Sequence, residues 1–349
     1  MEHGDELNLV TGGTGLLGSH IVERLVGMGR PVRVLVRPSS ETGFVRSLGV
    51  DVFVGDLADP SSCRHALAGV KAVYHAAAKV GDWGQWEEFR RDCLVATDCL
   101  AREAIRADVD RFVQISSTSA YGHPREGGGP IEESEALGQN LWWIWDDYTR
   151  SKVECERIAW GLHERDGLRL TVIRPSWLYG ERDRTSTERI VGKLERGGIP
   201  LIGRGDNPLS AIYAGCVAEA AIAAADDPGS VGEAYNITDQ GGITQRQFFT
   251  LWAEALGASP PRRRINYRLV YGAALAMEAA ARLARREKPP LISRYATWLM
   301  GRYLSYSTVK ARTKLGWAPS LTYRQSIERT VGWFLASRGR RRVANRAGA

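Results

Sequence analysis

The sequence predicts an α/β fold, a doubly wound parallel sheet with a smaller C-terminal substrate lobe, and three observations carry that expectation. Over the first 180 residues, short β-branched runs alternate with segments of helical period. A glycine-rich turn, Gly12 to Gly18, joins the first run to the first amphipathic segment. After Gly180 the alternation loosens. The expected organisation is a sheet domain over 1–180 and a lobe over 181–337, some of whose segments return to the sheet domain. A flexible basic tail is expected over 338–349.

The strands read as Leu7–Val10, Val32–Arg37, Asp51–Val54, Ala72–His75, Arg111–Ser116 and Leu170–Arg174. Between the first two, Leu17, Ile21 and Leu25 repeat at helical spacing. Further on, Thr187–Arg196 reads as a helix and Gly232–Ile237 as a strand. Thr244–Leu256 reads as a helix opened by a Thr-x-x-Gln capping box. Residues 269–284 are an apolar run broken by Glu278 and Arg282. The run falls short of the ~20 residues a bilayer requires. It reads as a helix packed on the lobe, or as one lying on a membrane surface or walling an apolar pocket.

With 44% hydrophobic and 25% charged residues, the 349-residue chain has the composition of a soluble globular protein. Its five cysteines are odd in number and lack C-x-x-C spacing, which points to reduced thiols and a cytoplasmic protein. Six scattered histidines form no ligand cluster, so no metal is expected. An acidic start runs straight into an apolar strand, and no signal peptide is expected. Part of the net charge of +7 is Arg338, Arg340, Arg341, Arg342 and Arg346 at the C-terminus, read as a solvated end. Nothing else supports a nucleic-acid partner.

The stretch Thr11-Gly12-Gly13-Thr14-Gly15-Leu16-Leu17-Gly18 fits a dinucleotide turn. Gly12 permits the tight bend, Gly15 lets backbone approach a pyrophosphate, and Gly18 lets the helix pack closely on the sheet. The helix start then faces the phosphates with unpaired N–H groups. At the end of the second strand, Val36-Arg37-Pro38-Ser39-Ser40 shows no carboxylate in reach to accept from a ribose hydroxyl. Arg37 can pair with a 2′-phosphate, so NADP(H) is favoured over NAD(H).

Tyr148-Thr149-Arg150-Ser151-Lys152 sets a phenol and an ammonium at i and i+4 on one helix face. A free phenol titrates near ~10, and a neighbouring ammonium favours its phenolate, fitting Tyr148 for proton exchange at a carbinol or carbonyl oxygen. Tyr306 and Lys310 repeat the spacing, but their place far out in the C-terminal lobe marks Tyr306 as structural.

The G-x-x-G-x-x-G spacing after a threonine resembles the extended short-chain dehydrogenase/reductase family, whose cofactor domain is Rossmann-like. Further segments share the resemblance: Gly55-Asp56-Leu57, His75-Ala76-Ala77-Ala78, Arg174-Pro175-Ser176-Trp177-Leu178-Tyr179-Gly180 and Leu315-Gly316-Trp317-Ala318-Pro319. It implies that Thr14, Leu16, Leu17, Asp56, Leu57, Ala76, Ala77, Ala78 and Pro175 line the cofactor. Tyr148 and Lys152 also meet it, Lys152 on the ribose hydroxyls. It further implies that Ser117 bonds the reacting oxygen, with Ser116 and Thr118 as alternatives one residue either side. Cys93 stands where many relatives carry asparagine.

On the substrate side, Pro208–Tyr213 lacks the arginine that nucleotide-sugar enzymes of the family place there, and a buried diphosphate without it would be costly. Trp142, Trp143, Trp145, Trp83 and Trp86 crowd the expected site instead. With Trp177, they suit a large apolar substrate, and the expected partner is a small hydrophobic molecule of that kind. The loop from Val80 to Trp86 resembles the 3β-hydroxysteroid dehydrogenase branch. The expected reaction is hydride transfer between a nicotinamide and a secondary alcohol or ketone of steroid or 3-ketoacyl-lipid type. The alternatives are a nucleotide-sugar epimerase or dehydratase and a dinucleotide-sensing scaffold without turnover. A homodimer is implied by the resemblance alone.

Overall fold

A computed structural model describes residues 6–79, 81–141, 145–239 and 242–347. In chain order the strands are β1 (Leu7–Thr11), β2 (Val32–Val36), β3 (Asp51–Val54), β4 (Val70–His75), β5 (Arg111–Ile115) and β6 (Leu170–Pro175). They continue with β7 (Trp177–Tyr179), β8 (Leu201–Ile202), β9 (Ala211–Tyr213), β10 (Glu233–Ile237) and β11 (Arg264–Ile265). The chain divides into two compact units, the first made of Met1–Ser176, Ala214–Thr238 and Tyr306–Ala318.

The first unit is built on a seven-stranded parallel sheet in the order β10-β6-β5-β4-β1-β2-β3. Its central strands are buried on both faces, as parallel strands covered by helices must be. Helices Leu16–Gly27 and Ala214–Asp226 pack together on one side. Helices Pro60–Ala66, Ala96–Arg106 and Asp147–Asp166 pack together over a core that includes Leu9, Val73, Phe112, Leu170, Leu100 and Leu162. This is the expected doubly wound fold.

A buried charged network ties the last of these helices to the sheet. Glu156, fully buried on helix Asp147–Asp166, accepts from Arg174 Nε on β6 at 2.9 Å and from Trp160 Nε1 at 3.1 Å. Ser116, just past β5, donates to the other Glu156 oxygen at 2.5 Å. Arg174 Nη1 also donates to the Tyr121 hydroxyl at 2.7 Å, and that hydroxyl donates to Asn236 Oδ1 on β10 at 2.7 Å. The carboxylate partner raises the Arg174 pKa against the opposing effect of burial.

Tyr306 lies in this unit and not in the lobe where its sequence position put it. It stacks on Tyr121 at 6.0 Å between ring centroids, its backbone bridges to Ile131, and its hydroxyl interacts with Thr118. Lys310 pairs with Glu233 at 2.5 Å, and Trp317 Nε1 donates to the Cys216 carbonyl at 3.0 Å. Residues 306–318 therefore finish the sheet unit.

The second unit comprises Trp177–Tyr213, Asp239–Ser305 and Pro319–Ala349. Its strand pairs are β7 with β9 and β8 with β11, both parallel. Tyr179, Phe248, Trp252 and Tyr323 form its aromatic centre, with Phe248 and Tyr323 rings edge-on at 6.1 Å. The expected Thr244 capping box is present at the start of helix Gln245–Leu256. The stretch from 338, expected as a flexible tail, continues helix Tyr323–Ala347.

Leaving Arg174 buried without its carboxylate is costly. Glu156→Ala is expected to lower unfolding free energy by about 3–5 kcal/mol, read by urea denaturation, with Glu156→Gln losing less.

Candidate active site

The Gly12–Gly18 turn has the geometry a phosphate cradle needs. Gly12 adopts φ +67°, and a Cβ there would sit 2.8 Å from the Ala76 carbonyl carbon and the Ala77 nitrogen. A Cβ on Gly18 would run into the Gly12 carbonyl. Gly15 caps helix Leu16–Gly27 without a side-chain bond, and the first turn holds no acidic residue. Its N–H groups and positive dipole end are thus left to an anion. Thr14 is half-buried, Gly15 is exposed, and Leu17 points into the core. A dinucleotide pyrophosphate fits this turn.

The loop after β4 is fixed by a polar chain that the sequence does not announce. Thr11 Oγ1 lies 2.8 Å from His75 Nδ1 and accepts from the Ala77 N–H at 3.2 Å, while His75 Nε2 lies 3.1 Å from Thr97 Oγ1. Burial, with Lys152 adding to it, pushes the His75 pKa down to about 3. A neutral imidazole donating from Nε2 satisfies all three contacts. This chain holds Ala76, Ala77 and Ala78, half-buried, beside the Gly12 turn.

Arg37 has a carboxylate in reach after all. Its Nη1 lies 3.2 Å from Asp92 Oδ2, supplied by a π-helical turn, Arg90–Val95, 55 residues on. Arg91 joins the group, pairing with both Asp92 and Asp56. Asp56 also caps its own turn, accepting from the Ala58 N–H at 2.9 Å. Two guanidiniums and two carboxylates thus cluster where an adenosine ribose is expected, and Leu57 borders the core.

Helix Asp147–Asp166 places Tyr148, Lys152 and Glu156 at successive i+4 positions. Asp146 caps it, accepting from the Thr149 N–H at 3.2 Å and meeting His123 Nε2 at 2.7 Å. Tyr148 packs on a cluster of Phe89, Cys93 and Cys155. Cys93 Sγ accepts the Lys79 N–H at 3.3 Å, tying the end of the β4 loop to the π-helical turn. A hydrogen bond from Cys155, aided by the Lys152 charge, holds the Cys93 thiol well below its ordinary pKa despite burial. Cys93 therefore takes a hydrogen-bonding position of its own.

The structure separates the three hydroxyl candidates. Ser116 is committed to Glu156, and Thr118 interacts with Tyr306. Ser117 caps the short 3-10 turn Thr118–Tyr121, accepting from the Ser119 N–H at 3.1 Å, with Ser119 Oγ at 3.0 Å. The Tyr148 helix packs against that turn. Pro175 ends β6, paired with Ile237 on β10.

The tryptophans do not form one wall. Trp86 stacks under the Arg150 guanidinium at 3.8 Å and borders the Tyr148 cluster. Trp83 is half-buried, whereas Trp145 is exposed with φ +64° beside the helix cap. Trp177 belongs to the second unit, where its Nε1 donates to Ser186 at 3.1 Å and its ring lies 5.6 Å from Phe248. Trp142 and Trp143 lie outside the described residues. Among the described residues, no His, Cys, Asp and Glu group has a metal-binding arrangement.

Residues 8–238 match the model of the NAD dependent epimerase/dehydratase family. A 2-alkyl-3-oxoalkanoate reductase of Stenotrophomonas maltophilia is 27% identical over 328 residues, covering 92% of this chain and 97% of the relative. A 3 beta-hydroxysteroid dehydrogenase/Delta 5-->4-isomerase of Mycobacterium tuberculosis is 29% identical over 342 residues, covering 94% and 90%. Among solved structures, a dTDP-glucose 4,6-dehydratase of Streptomyces venezuelae with NAD bound superposes with TM-score 0.75 at 23% identity, covering 95% and 98%; it shows the shared fold.

A histidine kept neutral in the fold but free to protonate when unfolded makes stability fall as pH drops below its unfolded pKa. For His75 that window runs from the ordinary 6.5 down to about 3. Thermal melts between neutral and acid pH are expected to show a steeper acid loss in the wild type than in His75→Asn, whatever the variant's starting stability.

Proposed function

The chain belongs to the NAD dependent epimerase/dehydratase family, the extended short-chain dehydrogenases and reductases, whose members are NAD(P)-dependent enzymes. Within it we propose a reversible hydride transfer between a nicotinamide cofactor and a secondary alcohol or ketone of a hydrophobic substrate. The observation that carries this reading is Tyr148 and Lys152 one turn apart on a helix capped by Asp146, packed against the turn that Ser117 opens.

A bound nicotinamide would supply or take up hydride at its C4. The Tyr148 oxygen exchanges a proton with the substrate oxygen, with the Lys152 ammonium one turn further along the same helix. Ser117 accepts the Ser119 N–H and shares a hydroxyl contact with Ser119 in which either oxygen can donate; with Ser119 as the donor, the Ser117 proton is left to polarise a carbonyl. The Gly12–Gly18 turn takes the pyrophosphate on the uncapped helix end.

The activities of the two named relatives, on an oxoalkanoate and on a steroid, support an apolar substrate with an oxygen at a secondary carbon. Trp83, Trp86 and Trp145 are the aromatics that such a substrate would meet from the first unit. For the cofactor, Arg37 and Arg91 support NADP(H), since a 2′-phosphate can replace Asp92 as the partner of Arg37.

Tyr148→Phe is expected to cut turnover of a 3-keto acid or 3β-hydroxysteroid by about 10²-fold or more, while quenching of protein fluorescence by the cofactor stays unchanged. Unchanged turnover would sink the assignment of Tyr148. Turnover of a nucleoside-diphosphate sugar by protein carrying retained NAD would move the reading to the epimerases. In a separate titration, Arg37→Asp is expected to weaken NADPH by about tenfold or more while sparing NADH. Equal loss of both overturns the phosphate role.

A further inference from the structure

Helix Tyr267–Leu283 of the second unit carries an outward face without the charges a water-facing helix normally has. Its inward face is fully accounted for. Val270, Ala274, Glu278 and Ala281 are buried, and Glu278 accepts from Arg294 through its main chain at 2.7 Å and its Nε at 2.6 Å. The other half of the circumference presents Leu269, Ala273, Leu275, Ala276, Ala280 and Leu283. Leu269 is 72% exposed and Leu283 87%. Of the 17 residues only three are charged, and of those only Arg268 is exposed.

Charge is concentrated at the two ends. Arg262, Arg263, Arg264 and Arg268 are exposed where the helix begins, and Arg285 and Lys288 where it finishes. Between 262 and 288 the only acidic residues are Glu278, which is buried, and Glu287, which is exposed among Arg285, Arg286 and Lys288. Leu291, 80% exposed, extends the apolar character just beyond. No helix among the described residues is long and apolar enough to cross a membrane.

We propose that this helix lies flat in the headgroup region of an anionic bilayer, its leucines at the acyl boundary and its two basic ends on lipid phosphates. An exposed apolar strip flanked by cations is complementary to such an interface. The same strip suits a second copy of the chain poorly. Both ends are basic, so any two-fold pairing of the face with itself sets like charges opposite each other. The proposal stands apart from hydride transfer and from the identity of the substrate.

The test is co-sedimentation of the full chain with phosphatidylcholine vesicles, with and without phosphatidylglycerol, at rising salt. Binding is expected only with phosphatidylglycerol and is expected to weaken as salt screens the arginines. The double variant Leu269→Glu/Leu283→Glu should bind about tenfold less or weaker still, with melting temperature and turnover retained. As a second measurement, Leu269→Cys carrying an environment-sensitive fluorophore should shift to the blue on the anionic vesicles. The proposal is overturned if anionic vesicles leave the protein in solution, if the label keeps its aqueous spectrum, or if the folded double variant binds as well as wild type. It is equally overturned if the wild type is a dimer that the double variant converts to monomer, since the face then belongs to a second copy.

Discussion

The buried pair of Glu156 and Arg174 is the constraint on which the rest of the first unit depends. An ion pair taken out of water gains little over well-packed apolar residues, and its two members are expensive to separate. Its value here is geometric. One carboxylate gathers Ser116 from the end of β5, Trp160 from its own helix and Arg174 from β6; through Arg174 the network reaches Tyr121 and Asn236. Because Glu156 stands on the same helical stripe as Tyr148 and Lys152, fixing it fixes the rotation of that helix against the sheet. Charge complementarity in the core is thereby converted into a defined direction for an ammonium one turn away and a phenol two turns away.

The hydroxyls around Ser117 show the same logic in miniature. Of the four consecutive alcohols from Ser116 to Ser119, packing gives Ser116 a fixed partner in Glu156 and Thr118 one in Tyr306. Ser117 keeps a local contact with Ser119 that uses its acceptor capacity. At the end of β4, His75 is held neutral by burial and spends both ring nitrogens on threonines. Its role is to set the course of the β4 loop past Gly12. The Cys93 contact with Lys79 continues that course towards the helix that carries Tyr148.

Much of the fold was legible in the sequence because parallel strands buried on both faces write themselves as continuous apolar runs. β1, β2, β3, β5 and β6 begin where the sequence places them, and the glycine turn could be read because φ +67° and close backbone approach admit no side chain at Gly12. What stayed hidden depended on contacts distant in sequence. Glu156 looks like one more charged helix residue until Arg174 is seen beside it. Asp92 reaches Arg37 only because a π-helical turn brings it round, so the second strand end looked free of carboxylates when it was not. Trp177 follows Pro175 by two residues yet belongs to the other unit's aromatic centre. The arginine-rich terminus read as a tail because charge density masks its helical continuation.

The placement of residues 306–318 bears on how the chain is made. The turn opened by Ser117 gains its Tyr121 and Thr118 partner from Tyr306, and β10 gains Lys310, so the sheet unit is closed by a segment near the end of the chain. A nascent chain emerging from the ribosome cannot complete this unit until more than three hundred residues have been translated. Until then the Ser117 turn lacks its covering ring, and closure waits on contacts distant in sequence, whose loop-closure entropy slows their formation. The geometry of the site is thus among the last features of the molecule to be assembled during synthesis.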